Sequence, residues 1–104
     1  MKLWYVYIMS NRANGVLYIG VTDNIEERVK EHKLKVYPKS FTAKYNCTML
    51  VYFEEFENGK DAEKRDRQFK KWKRNWKIEL IEEMNPNWID ISANWNLNFN
   101  KLRE

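Results

Sequence analysis

Two short stretches, residues 3–9 and 16–21, alternate with a period of two, and the Asn14-Gly15 pair lies between them. This arrangement limits the start of the chain to a β-hairpin, because alternation places every second side chain on one face of a strand and Asn-Gly favours a positive-φ turn. In the first strand Trp4, Val6 and Ile8 share a face, while Leu3, Tyr5, Tyr7 and Met9 take the other. In the second, Leu17, Ile19 and Val21 oppose Val16, Tyr18 and Gly20. If the aliphatic faces share the core, Tyr5, Tyr7 and Tyr18 gather on the opposite face beside a glycine with no side chain to block approach, where a pocket is expected.

A helix follows. Asp23 or Asn24 is placed to cap it, Glu26 and Glu27 suit the positive end of its dipole, and it is expected to run to about Lys33. Ile25, Val29 and His32 fall at i, i+4 and i+7, with Arg28 beside them, so a titratable and a charged residue flank the buried stripe. Pro38 breaks the chain. Residues 48–56 are almost continuously apolar and aromatic, the pattern of a central strand covered on both faces, and Asn58-Gly59 ends them. Residues 60–84 read as one bent helix or two, with Ala62, Phe69, Trp72, Trp76 and Leu80 as the inward stripe. Asp66, four residues after Ala62 and three before Phe69, points toward the body of the protein with them. Asn85-Pro86 stops the helix, and residues 94–100 alternate Asn with Trp95, Leu97 and Phe99, as an edge strand, a docked tail or a loose end.

A chain of 104 residues builds one core, so these motifs must converge on a single site. Sixteen aromatic residues supply enough buried area to do without disulfides, and the one cysteine, Cys47, reads as packing. No leader and no apolar run long enough for a membrane is visible, so a cytoplasmic protein without a membrane partner is expected. One Cys and one His exclude a zinc site. The net charge of +4 decides little, but residues 60–77 hold nine basic residues against three acids, which makes a surface for a polyanion or a solvated helix face.

The order Tyr5-Val6-Tyr7, ten residues, Tyr18-Ile19-Gly20, then Arg28 and His32 on a helix resembles the GIY-YIG nuclease superfamily. With Phe41-Thr42, Tyr45 and the basic residues 68–77, the pattern is similar to its short, single-domain bacterial branch over residues 3 to about 91. The resemblance implies an α+β fold, a small antiparallel three-stranded sheet flanked by helices in the order β-β-α-β-α-α. It places the domain at residues 1–91 and leaves 92–104 as an extended or loosely docked tail. It implies hydrolysis of phosphodiester bonds in DNA with the help of Mg²⁺ or Mn²⁺, by a monomer, in a setting such as DNA repair. Tyr7 and Tyr18 match the motif tyrosines, one of which helps to deprotonate the attacking water. Arg28 matches the arginine that steadies the phosphate, His32 a histidine near the same site, and Asp66 the metal ligand. Tyr5, Gly20, Lys44, Tyr45, Lys70, Lys71, Lys73, Arg74 and Lys77 are the expected nucleic-acid contacts.

The chain departs from the family at two positions. Tyr5 replaces the first motif glycine, and Asp66 stands where the family has glutamate. Aspartate is a competent hard-metal ligand but shorter, so two readings stay open: an active nuclease, or a nucleic-acid-binding domain whose catalysis has weakened. An Arg28 to Asp66 ion pair is a structural alternative for both residues.

Overall fold

The computed structural model describes residues 2–97. Strands β1 (Trp4–Ser10) and β2 (Leu17–Thr22) form the expected hairpin, followed by helix α1 (Ile25–Leu34), a one-turn helix α2 (Phe41–Lys44), strand β3 (Met49–Phe56), helices α3 (Gly59–Lys71) and α4 (Arg74–Met84), and a 3₁₀ turn, Ile91–Asn94. All strand pairs are antiparallel. The α+β class and the order β-β-α-β-α-α follow the sequence reading, with α2 and the 3₁₀ turn added.

The sheet order is β2-β1-β3, so β1 is central and β3 lies at an edge. This corrects the expectation of a central third strand. The apolar run is explained by cover on both faces, with Leu50 and Phe53 packed into one core and Met49, Val51, Tyr52 and Phe56 into the other, while the edge is met by side chains: Asp90 Oδ1 accepts from the Leu50 amide at 3.0 Å, and Asn85 Nδ2 donates to the Val51 carbonyl at 3.0 Å. Side chains from the segment after α4 thus satisfy backbone groups that an open edge would leave to water. Lys33 Nζ on α1 donates to the same Asp90 at 2.5 Å, so the covering segment is tied across the domain.

The two faces of the sheet carry separate cores. Val6, Ile8 and Ile19 pack with Ala62 and Phe69 of α3, Ile81 of α4 and Trp88. On the other face Tyr7, Met9 and Leu50 pack with Ile25 and Val29 of α1 and Cys47, flanked by Tyr5, Tyr18, Phe53, Trp95 and Leu97. The tyrosine face is therefore not an open pocket: α1 closes it, and Tyr7 is 1% exposed. Trp95 and Leu97 dock on this face, and the expectations for residues 98–104 lie outside the described residues.

Between α3 and α4 the backbone is extended at Trp72 and Lys73, so there are two helices. The break resets the helical phase. Ala62, Asp66 and Phe69 are the buried stripe of α3, but Trp76, expected inward, is 51% exposed on α4, whose buried side is instead set by Ile81. At the hairpin turn the positive φ falls on Asn14 alone. Gly15 allows a close approach, since a Cβ there would run into Asn11 Oδ1, which accepts from the Val16 amide at 2.9 Å, and would crowd the Arg12 carbonyl. Arg74 donates to the carbonyls of Asn14 and Gly15 at 2.7 and 2.6 Å, which fastens the start of α4 to this turn.

Candidate active site

Tyr7 lies on the central strand directly opposite Gly20 of β2. A Cβ on Gly20 would lie 2.5 Å from the Tyr7 hydroxyl, so the glycine is there to let the tyrosine ring pass over its neighbour strand. The hydroxyl then meets His32 Nε2 of α1 at 2.8 Å. The other ring nitrogen, Nδ1, is 2.9 Å from Thr42 Oγ1 on α2. Ser40 caps that helix, its hydroxyl accepting from the Ala43 amide at 3.3 Å, and this holds Thr42 in place. The one-turn helix that the sequence did not announce is thus what fixes the histidine.

Arg28 sits one turn before His32 on α1 and donates to Glu31 Oε1 at 2.8 Å. Burial opposes its charge, but Glu31 and then Tyr7 outweigh that penalty and keep the guanidinium protonated. Burial raises the Tyr7 pKa above the ordinary tyrosine value, Tyr18 adds to the rise, and Arg28 pulls against it. A neutral imidazole accepts at one ring nitrogen and donates at the other, so His32 bridges the hydroxyls of Tyr7 and Thr42. Burial, with Arg28 as the second cause, lowers the His32 pKa to about 4, so the ring is neutral at physiological pH.

This predicts a defined acid sensitivity. Unfolding returns His32 to its ordinary pKa of about 6.5, so between pH 6.5 and about 4 the unfolded chain binds the extra proton and stability falls as pH falls. The full loss is at most about 3.5 kcal/mol, at about 1.4 kcal/mol per pH unit. The carboxyl of Asp90, held below its usual range against the cost of burial by Lys33, Ser92 and the Leu50 amide, weakens the fold only at lower pH. Urea midpoints across pH 4–7 should therefore slope in the parent and flatten in His32→Gln. An equal slope in both would remove His32 as the source.

Tyr18 is half-buried, with its ring centroid 5.4 Å from His32, 6.3 Å from Tyr7 and 6.0 Å from Phe41. Tyr7, Tyr18, Arg28 and His32 are thus gathered as the sequence pattern implies. The structure adds two partners to the sequence pattern: Glu31, signalled by its i,i+3 spacing from Arg28, and Thr42, which shows no local signal for contact with a histidine ten residues away. Tyr5 packs edge-on against Phe53 at 6.1 Å. Lys44 lies over the Tyr45 ring at 5.3 Å, next to Phe41, and Arg28 lies 5.6 Å from the ring of Tyr37.

Asp66 stands apart from this cluster, on the helix that packs against the opposite face of the sheet. Its Oδ2 accepts from Lys70 Nζ at 3.0 Å, so its ion pair is with Lys70, while Arg28 is engaged with Glu31. The Arg28 to Asp66 pair weighed from the sequence is not formed. Asp66 Oδ1 is buried without a hydrogen-bond partner among the described residues. A buried unpaired carboxylate oxygen is costly, and a hard cation would satisfy it. Among the described residues no three His, Cys, Asp or Glu side chains converge as metal ligands, so one carboxylate would be the protein's share of such a site. Of the basic residues, Lys71, Lys73 and Arg74 are exposed on or next to α3 and α4, with Arg74 committed to the hairpin turn. Lys70 and Lys77 line a groove with Tyr18.

An antiparallel three-stranded sheet, with tyrosines, arginine and histidine locked together on one face and a carboxylate helix on the other, defines a small domain of nuclease-type fold. The profile of the GIY-YIG catalytic domain matches residues 3–79. The chain belongs to the GIY-YIG family. Among its relatives, a UPF0213 protein of Clostridium perfringens is 42% identical over 77 residues, covering 74% of this chain and 81% of the relative. One from Staphylococcus haemolyticus is 35% identical over 83 residues, covering 80% of this chain and 99% of the relative. The solution NMR structure of a UPF0213 protein from Bacillus halodurans shares the fold, with a TM-score of 0.53 at 22% identity over 88% of this chain and 97% of that one.

Proposed function

We propose that this domain is a metal-dependent endonuclease that hydrolyses phosphodiester bonds in DNA, acting as a monomer in the cytoplasm. The observation that carries the reading is the buried, unpartnered Asp66 Oδ1 on a helix whose next turn supplies Lys70 to the groove shared with Tyr18. Asp66 would hold Mg²⁺ or Mn²⁺, which supplies charge neutralisation at the phosphate and a more acidic water. Arg28 presents a permanent positive charge, prepared in advance by Glu31, to the charge that builds on the phosphate oxygens. Of the two motif tyrosines, Tyr18 lines the groove and is the one in reach of a bound strand, whereas Tyr7 is enclosed. Tyr7 and His32 then act as positioning residues, their hydrogen bond setting the place of Arg28 and the floor beneath Tyr18.

Incubation of the purified protein with labelled linear, branched and single-stranded DNA, with Mg²⁺ or with chelator, tests the reading. Cleavage only with the metal supports it. The alternative, a DNA-binding domain with weakened catalysis, is favoured by Asp66 in place of the family's glutamate and by its pairing with Lys70; binding without cleavage on every substrate would establish that alternative.

Either reading predicts electrostatic binding through the basic face of α3 and α4. Each phosphate neutralised should contribute a slope of about −0.9 in log affinity against log salt on duplex DNA. A Lys70, Lys71 and Lys73 triple Ala variant should bind more weakly and flatten that slope by about two to three units. Salt-independent affinity in the parent, or unaltered binding in the variant, would show that the face is merely solvated.

A further inference from the structure

A groove of about 300 Å³ is lined by Leu17, Tyr18, Ile19, Phe41, Lys70 and Lys77. Successive residues of a strand point to opposite faces, so a groove lined by three consecutive ones runs along the strand's free edge. Strand β2 has such an edge, being terminal in the sheet. The groove therefore wraps from the tyrosine face round to the helix that carries Asp66. On that side the Lys70 side chain is 56% exposed and touches Asp66 at 3.0 Å. Lys77 is half-buried and makes no hydrogen bond or ion pair among the described residues. On the other side Phe41 is 45% exposed, and its ring meets Tyr45 at 4.7 Å and Tyr18 at 6.0 Å.

We propose that this groove is a nucleotide subsite, in which Lys70 and Lys77 hold one backbone phosphate and Phe41 stacks the base attached to it. The inference rests on the nucleic-acid reading above and goes beyond it by assigning phosphate and base to particular side chains. A lysine without an acidic partner among the described residues, half-buried along a groove, is poised for an incoming anion, and Lys77 is such a residue. An exposed aromatic ring, propped by two others, offers a flat and already ordered surface to another flat ring. A nucleotide carries both complementary features, and the open β2 edge adds backbone donors between them. Lys70 reaches the phosphate by leaving Asp66, an exchange that a half-exposed pair permits. The exchange also frees the second carboxylate oxygen.

The test is a titration of the full chain, in chelator, with thymidine 5′-monophosphate, thymidine and inorganic phosphate, followed by amide chemical shifts. The nucleotide should bind at least about fivefold more tightly than either fragment, the lower end of what one stacked base contributes. Its shifts should cluster at residues 17–19, 41 and 70–77. Phe41→Ala and Lys77→Ala should each weaken it about fivefold or more while keeping the parent melting temperature. Equal affinity for nucleotide and inorganic phosphate, or undiminished binding in Phe41→Ala, would overturn the base contact; undiminished binding in Lys77→Ala would overturn the phosphate contact. Metal-dependent cleavage by the parent in those cases leaves the nuclease reading standing without the subsite. A parent that binds no DNA at any salt would bring down that reading and the subsite with it.

Discussion

Asp66→Asn should abolish metal-dependent cleavage while leaving the fold at least as stable as the parent. The substitution keeps the size of the side chain and removes the charge that would recruit Mg²⁺. Its structural cost is small, because the partner Lys70 is more than half exposed and such pairs contribute about 0–1 kcal/mol. Removing a buried charge with one unsatisfied oxygen also relieves an existing penalty. Asp66→Glu should match or exceed the parent rate, because it restores the longer reach found in the family. Cleavage rate against Mg²⁺ concentration, read beside melting temperature, separates these effects. Unchanged metal dependence in Asp66→Asn would sink the ligand assignment. Glu54 would then be a poor substitute, since Arg65 holds both of its oxygens at 2.9 and 3.1 Å; the exposed Glu63 would come next.

Arg28→Ala should lower cleavage by about a hundredfold or more, the scale of removing one preorganised donor from a developing charge. It should also cost some stability, because Glu31 loses its partner in a partly buried site. The expected loss is about 1–2 kcal/mol, between an exposed and a buried pair, or a drop of roughly 4–15 °C in a domain of this size. Glu31→Gln supplies the control. It breaks the same ion pair and should lower the melting temperature comparably, yet it leaves the guanidinium in place and should retain most of the rate. Equal rate losses in the two variants would mean that Arg28 acts only through the fold, and a parental rate in Arg28→Ala would remove it from the mechanism.

The Tyr18 and His32 positions were legible because both follow from local periodicity: a period of two sends Tyr7 and Tyr18 to one face, and a period of 3.6 sends His32 to the buried side of α1. Trp76 shows where periodicity fails. The stripe was extended through residues 72–73, and two extended residues there shifted the phase of α4 and turned the indole outward. The third strand shows a second kind of limit. A continuous apolar run records that both faces of a strand are covered, and it carries no information on whether a neighbouring strand or side chains such as Asn85 and Asp90 meet its edge.

By itself the sequence determined what depends on near neighbours in the chain: the hairpin, a cap at Asp23 or Asn24 that the structure places on Asn24, the inward direction of Asp66, and the shared face of the motif tyrosines. The charge pairs that form are local too, Arg28 with Glu31 at i,i+3 and Asp66 with Lys70 at i,i+4. Only the tertiary structure decided that Arg28 and Asp66, both inward-facing and of opposite sign, do not meet, because α1 and α3 pack on opposite faces of the sheet. Likewise Thr42 reached His32 only because a one-turn helix folded back over α1, and Gly20 mattered only because Tyr7 crosses it from the next strand. The physical reason is the same in each case. Periodicity fixes the direction in which a side chain leaves the backbone, whereas its partner is fixed by the packing of elements whose contacts are remote in sequence.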